Sequence, residues 1–176
     1  MVKGRGRRWI QASILTTVAA AYRKLADLDR SLLAGRQALV LAREARFVRT
    51  EADSILGLCL TYQQLGRHHE ARSHAEQALG MARDHSFRVV EGQALTAMCE
   101  LAGSEAAYDT AVALGEEALA VHRQTGHRLG EAHTLMTLGR ALHKTKDAAA
   151  GPARDQALAV FSDVGVPVRE YGDLDW

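Results

Sequence analysis

Apolar residues recur at steps of three and four along most of the chain. Between positions 51 and 66 one stripe runs Ile55, Leu58, Cys59, Tyr62 and Leu65, and Gly66 follows it. That spacing places the five residues on one side of a 3.6-residue helix. Glycine suits the left-handed conformation that ends such a helix. A second stripe, Ala71, Ala75, Ala78, Leu79 and Ala82, follows at once. Two helices joined by so short a turn predict an antiparallel αα-hairpin.

The hairpin recurs. Shifting the chain by 40 residues aligns Gln11 with Glu51, Glu91 and Glu131, then Ala12 with Ala52, Gly92 and Ala132. Leu15, Ile55, Leu95 and Leu135 coincide, as do Val18, Leu58, Met98 and Leu138, and the small residues Ala19, Cys59, Cys99 and Gly139. Later in each unit Gln37-Ala38-Leu39, Gln77-Ala78-Leu79 and Glu117-Ala118-Leu119 line up, and Gln156-Ala157-Leu158 joins them after a one-residue deletion. One hairpin cannot bury both its faces, whereas a stack of hairpins can. The expectation is therefore an all-α solenoid of about eight helices, in four units at about 9–48, 49–88, 89–128 and 129–168. Residues 1–8 read as a basic flexible tail and 169–176 as a tail or a truncated fifth unit. The final apolar face, with Leu158 and Phe161, reads as open or as covered by Tyr171, Leu174 and Trp176.

With Ala52 as position one of its unit, position seven is Leu58, eight Cys59, eleven Tyr62, fifteen Gly66, twenty Ala71, twenty-four Ala75 and twenty-seven Ala78. This pattern resembles the tetratricopeptide repeat, with helices longer than that repeat's usual 34-residue unit allows. The resemblance implies a right-handed superhelix whose concave groove is lined by the first helix of each hairpin. It implies groove positions two, five, nine, twelve and thirteen. In the first unit these include Arg23 and Lys24, beside Ser13, Thr16 and Ala20. The second contributes Leu56, Leu60, Gln63 and Gln64, with Asp53. The third contributes Gln93 and Glu100, with Thr96, Gly103 and Ser104, and the fourth His133, Met136, Arg140, His143 and Lys144. Helical spacing independently puts His133, Met136, Arg140 and His143 on one face. Such a groove, basic at its ends and apolar with amides in its middle, implies a protein or peptide partner of acidic character. The carboxylate clamp of chaperone-binding relatives is not expected, because the chain contains no asparagine.

A narrower resemblance rests on Leu129-Gly130-Glu131-Ala132, Leu138-Gly139, Gln156 to Phe161 and Val164-Gly165-Val166-Pro167. These segments are similar to the last repeats of bacterial antibiotic-regulatory transcriptional activators and signal-transducing NTPases. That implies a place in a transcriptional regulatory or signalling system. No GxxxxGK[ST] phosphate loop occurs, so the resemblance does not carry over an ATPase.

Composition changes this picture little. Hydrophobic residues make up 47% and aromatics 5%, with two prolines, a balance that suits close-packed helices better than a sandwich of strands. No apolar run approaches the roughly 20 residues of a membrane span. The charge is more informative. The net of +1 divides into +8 for residues 1–50 and −7 for the remainder, an asymmetry that can steer an acidic partner or bring one copy's head to another's tail. Homo-oligomers through uncapped ends are accordingly expected. His68, His69, Glu70 and His74 do not have the i, i+4 histidine spacing of a helical zinc pair, and read as a solvated face. Cys59 and Cys99 occupy equivalent positions and read as reduced, buried core residues of a cytoplasmic protein. The Gly4 to Arg8 run is too short to predict direct nucleic-acid binding. The alternative function is a peptide or small-molecule sensor domain, and the reading expects no enzyme, cofactor or metal.

Overall fold

The computed structural model describes residues 2–167, and among them eight α-helices and no strand. The chain forms two compact units, residues 1–90 and 91–176. The first contains α1 (Val2–Lys24), α2 (Leu28–Ala45), α3 (Val48–Gln64) and α4 (His68–Asp84). The second contains nearly all of α5 (Arg88–Ser104), then α6 (Tyr108–Thr125), α7 (Arg128–Lys144) and α8 (Ala150–Asp163). The fold is all-α and built of tandem hairpins.

The turns repeat at half the 40-residue period of the side-chain pattern. Residues 26, 46, 66, 86, 106, 126 and 146 all have positive φ, between 56° and 68°, and Gly165 follows at 73°. Every helix is thus followed by a left-handed residue, 20 positions after the last through Lys146 and 19 at Gly165. The backbone closes each turn identically. The amide of Gly66 donates to the carbonyl of Gln63, and that of Arg67 to Tyr62; Gly126 and His127 do the same to Arg123 and His122. These are Schellman closures, which satisfy carbonyls the helix leaves unpaired. Only three of the eight left-handed residues are glycine; Ala26, Arg46, Ser86, Ala106 and Lys146 are not. The closing hydrogen bonds and the helices packed on either side hold them there.

The tightness of these turns also governs the helix starts. At Asp27, Phe47, Arg67, Ala107 and His127 one residue closes the preceding helix and opens the next, so there is little choice of capping side chain. Asp27 alone among the described N-caps caps with its side chain, its Oδ1 accepting from the Arg30 amide at 3.2 Å.

Small residues bring the helices close. Ala38, Ala42, Ala71, Ala75, Ala78, Ala82 and Ala118 are completely buried. At Gly35 a Cβ would lie 2.9 Å from Leu58 Cδ2, and at Gly115, 80 residues on, 3.2 Å from Leu138. Hydroxyls join the hairpins within each unit. Thr16 meets Ser54 at 3.2 Å and Ser31 meets Thr61 at 2.9 Å in the first; Thr96 meets Thr134 at 2.7 Å in the second.

The N-terminal expectation requires correction. Residues 2–8 are not a tail but the opening turns of α1. Arg8 pairs with Glu44 at 3.4 Å and Trp9 lies 5.6 Å from Phe47, ring to ring, so contacts with α2 and the turn after it support the helix here. Position 168 and the 169–176 segment lie outside the described residues. Phe161 is 1% exposed and packs with Met136, Leu135 and Val160, while Leu158 is half-buried.

Candidate functional site

The groove positions of the first unit sit on α1 and α3. Lys24 and Gln64 are exposed, and Arg23, Leu60 and Gln63 are half-buried. Burial pulls the Arg23 guanidinium below its ordinary pKa, against a smaller opposite effect of Cys59. Asp53 is engaged by Arg49 at 3.1 Å, and burial raises its carboxyl pKa in spite of that partner. Gln63 Oε1 accepts from the Cys59 thiol at 4.0 Å.

In the second unit Glu100, His133, His143 and Lys144 are exposed, and Gln93 and Arg140 are half-buried. His133 lies edge-on to Phe161, with ring centroids 5.1 Å apart. The structure brings five expected groove residues together. Glu100, Gly103 and Ser104, from the end of α5, face Arg140 and Lys144 of α7 across a hollow of about 240 Å³. Tyr108, Thr137 and Ala141 complete its lining. Gly103 contributes space, since a Cβ there would meet nothing within 4 Å. His143 and His133 do not line it.

Two expected groove residues belong to the core instead. Leu56 is 5% exposed and Met136 3%. Both occupy position five, and helical geometry explains the error. Ala52, Leu56 and Cys59 stand at i, i+4 and i+7, as do Ala132, Met136 and Gly139, so position five continues the small-residue packing stripe. Thr16 and Thr96, at the same position, spend their hydroxyls on Ser54 and Thr134. Among the residues missed, Thr137 and Ala141 share the helical face of Arg140 and Lys144, which the three-and-four spacing does signal. Tyr108 carried no signal. It reaches the hollow because a three-residue turn separates α5 from α6.

The hollow's electrostatics favour an anion. Arg140 and Lys144 outnumber Glu100, and Ser104, Tyr108 and Thr137 supply hydroxyls. Two of these hydroxyls are already directed, since Ser104 donates to the Leu101 carbonyl at 2.7 Å and Thr137 to the His133 carbonyl at 3.1 Å. Cys99 offers no thiolate nearby. Burial, reinforced by Glu100 and opposed by Arg140, pushes it up to about 12.

A second polar cluster in this unit is closed to ligands. His122 is 1% exposed. Its Nδ1 lies 3.1 Å from His127 Nδ1 and its Nε2 lies 3.2 Å from Thr96 Oγ1. The Nε2–H tautomer satisfies both contacts, donating toward Thr96 and accepting from His127. Buried Glu131 stands close by, held by Arg123 at 3.0 Å and Arg128 at 2.6 Å. Burial, then His127, lower the His122 pKa to about 4, outweighing the Gly92 carbonyl and Glu131, which favour the charged ring.

Two solved structures share the architecture. Aspartyl phosphate phosphatase F from Bacillus subtilis superposes with a TM-score of 0.78 at 18% identity, over 90% of this chain and 42% of its own. BtubC (BKLC) from P. vanneervenii gives 0.70, also at 18% identity, over 88% of this chain and 64% of its own. The chain thus spans less than half of the first protein, and identities this low convey the fold alone. No family model and no curated protein matches the sequence.

Proposed function

We propose that this chain is a protein- or peptide-binding repeat module that acts by binding rather than catalysis, and that the α5–α6–α7 hollow receives an acidic side chain of its partner. The hollow itself carries the reading: two cations, Arg140 and Lys144, line a space of about 240 Å³ against the single carboxylate of Glu100. Ligand pockets for whole drug-sized molecules run to roughly 300–1,000 Å³. A hollow of this size suits one side chain of a longer ligand better than a free-standing small molecule. The likeness to regulatory activators, noted from the repeats, supports a place in a transcriptional regulatory or signalling system.

The test is fluorescence anisotropy with labelled extended peptides carrying Glu or Asp flanked by apolar residues. Arg140→Glu combined with Lys144→Glu is expected to weaken binding at least tenfold with helicity unchanged. Equal affinity in the variant, or equal binding of the Gln-substituted peptide, refutes the assignment.

A further inference from the structure

Within its unit, α1 carries a stripe that none of the other described residues covers. Ile10, Ile14, Thr17 and Ala21 succeed one another at steps of four, three and four, and all are exposed, Ile10 at 52% and Ile14 at 57%. The equivalent stripe is buried in α3 at Thr50, Ser54 and Thr61, and in α7 at Gly130, Thr134 and Ala141. What buries it is helical. Ser54 meets Thr16 of α1, Thr61 meets Ser31 of α2, and Thr134 meets Thr96 of α5. In this chain, then, the register serves to seat one helix against others.

The stripe continues at both ends into exposed cations, Arg7 on one side and Lys24 on the other. The whole of α1 holds six Lys and Arg and no Asp or Glu. We propose that this face docks an amphipathic helix of a partner protein, with small apolar residues at its centre and acidic residues at both its ends. Charge complementarity selects the acidic ends, and the internal use of the same register selects a helix. A second copy of α1 would bring like charge against like charge at the ends of the stripe. A lipid surface would want bulky apolar groups along the stripe, whereas Thr17 and Ala21 are small residues of the kind that let helices approach. Trp9 lies against Phe47 instead.

The test uses the full chain and a fluorescein-labelled 20-residue helical peptide of Ala and Leu with two Glu residues at each end. A matched peptide carries Lys in place of Glu. The Glu peptide is expected to bind, more weakly as salt rises, and Ile10→Glu with Ile14→Glu is expected to weaken it at least tenfold with the circular dichroism unchanged. Arg140→Glu should leave this binding intact, which separates it from the hollow. Equal affinity for the Lys peptide or for the Ile variant overturns the proposal. So does binding to phosphatidylglycerol vesicles that the Ile variant loses, or self-association in sedimentation that the same variant abolishes.

Discussion

His122 stands where the same register of earlier hairpins has Ala42 and Ala82. An imidazole fits there only because two neighbouring positions are stripped to glycine. Ala42 falls in register with Ala12 and Thr50, Ala82 with Ala52 and Val90, but His122 with Gly92 and Gly130. A Cβ on Gly92 would lie 2.7 Å from His122 Cε1 and 2.9 Å from Nδ1; on Gly130 it would lie 2.4 Å from Cε1. The ring is confined on both sides and cannot yield. Gly92→Ala should therefore incur an overpacking cost of about 1–3 kcal/mol, offset by about 1 kcal/mol of helix propensity. The net effect is neutral to destabilising by about 2 kcal/mol. In a His122→Ala background the clash disappears and the new methyl enters vacated space. There Gly92→Ala should stabilise by about 1 kcal/mol. His122→Ala alone destabilises, because it leaves a cavity and strips a partner from Thr96 and His127. Urea denaturation at pH 7.5, followed by circular dichroism, measures all four corners of the cycle. If Gly92→Ala has the same effect in both backgrounds, His122 and Gly92 do not compensate each other in size.

Other outcomes follow from the same geometry. The His122 pKa is depressed from 6.5 to about 4, so its contribution is fully present above pH 6.5 and is lost as pH falls toward 4. The unfolded chain takes up the proton first, and at pH 5 the loss is about 2 kcal/mol. The ring faces His127, His133 and Glu131, and His127, itself depressed by burial, acts in the same direction. His122→Gln should flatten the stability profile between pH 7 and 5 in urea titrations, and an unchanged slope refutes the assignment. Ala106 holds a φ of 61°, so Ala106→Gly should raise the unfolding midpoint by about 1 kcal/mol of stability, whereas lowering it would show that the turn is unstrained. Leu58 is 2% exposed, so Leu58→Ala should cost about 2–5 kcal/mol by the same denaturation assay. A near-neutral result would mean that the core register is misassigned.

The scaffold was legible because its signals repeat. The stripe through Ile55, Leu58, Cys59 and Tyr62 recurs every 40 residues, and burial leaves little freedom at such positions. The 20-residue spacing of the turns escaped notice because the backbone enforces it while the side chain varies. Ala26, Arg46 and Ser86 adopt the conformation that Gly66 advertises. A Schellman closure consists of main-chain bonds, and any residue that the flanking helices can hold will serve.

The site was legible only where it lies on the exposed part of a helix. Arg140 and Lys144 stand at groove positions of the repeat, and they line the hollow with Glu100. Leu56 and Met136 were misplaced because one helix cannot report which of its edges a neighbour will cover. That depends on how the next hairpin leans, and the lean depends on pairs such as Gly35 with Leu58 and Gly115 with Leu138. The same dependence gives α1 its character. Ile10 and Ile14 occupy positions that α7 fills with Gly130 and Thr134. Glycine and threonine there suit a helix already seated at close range, with His122 and Thr96 against them. Two isoleucines instead present bulk and apolar area, which an incoming helix with small residues at its centre could bury. The same register is thus closed in folding where Gly130 and Thr134 are buried, and left available for docking where Ile10 and Ile14 are exposed.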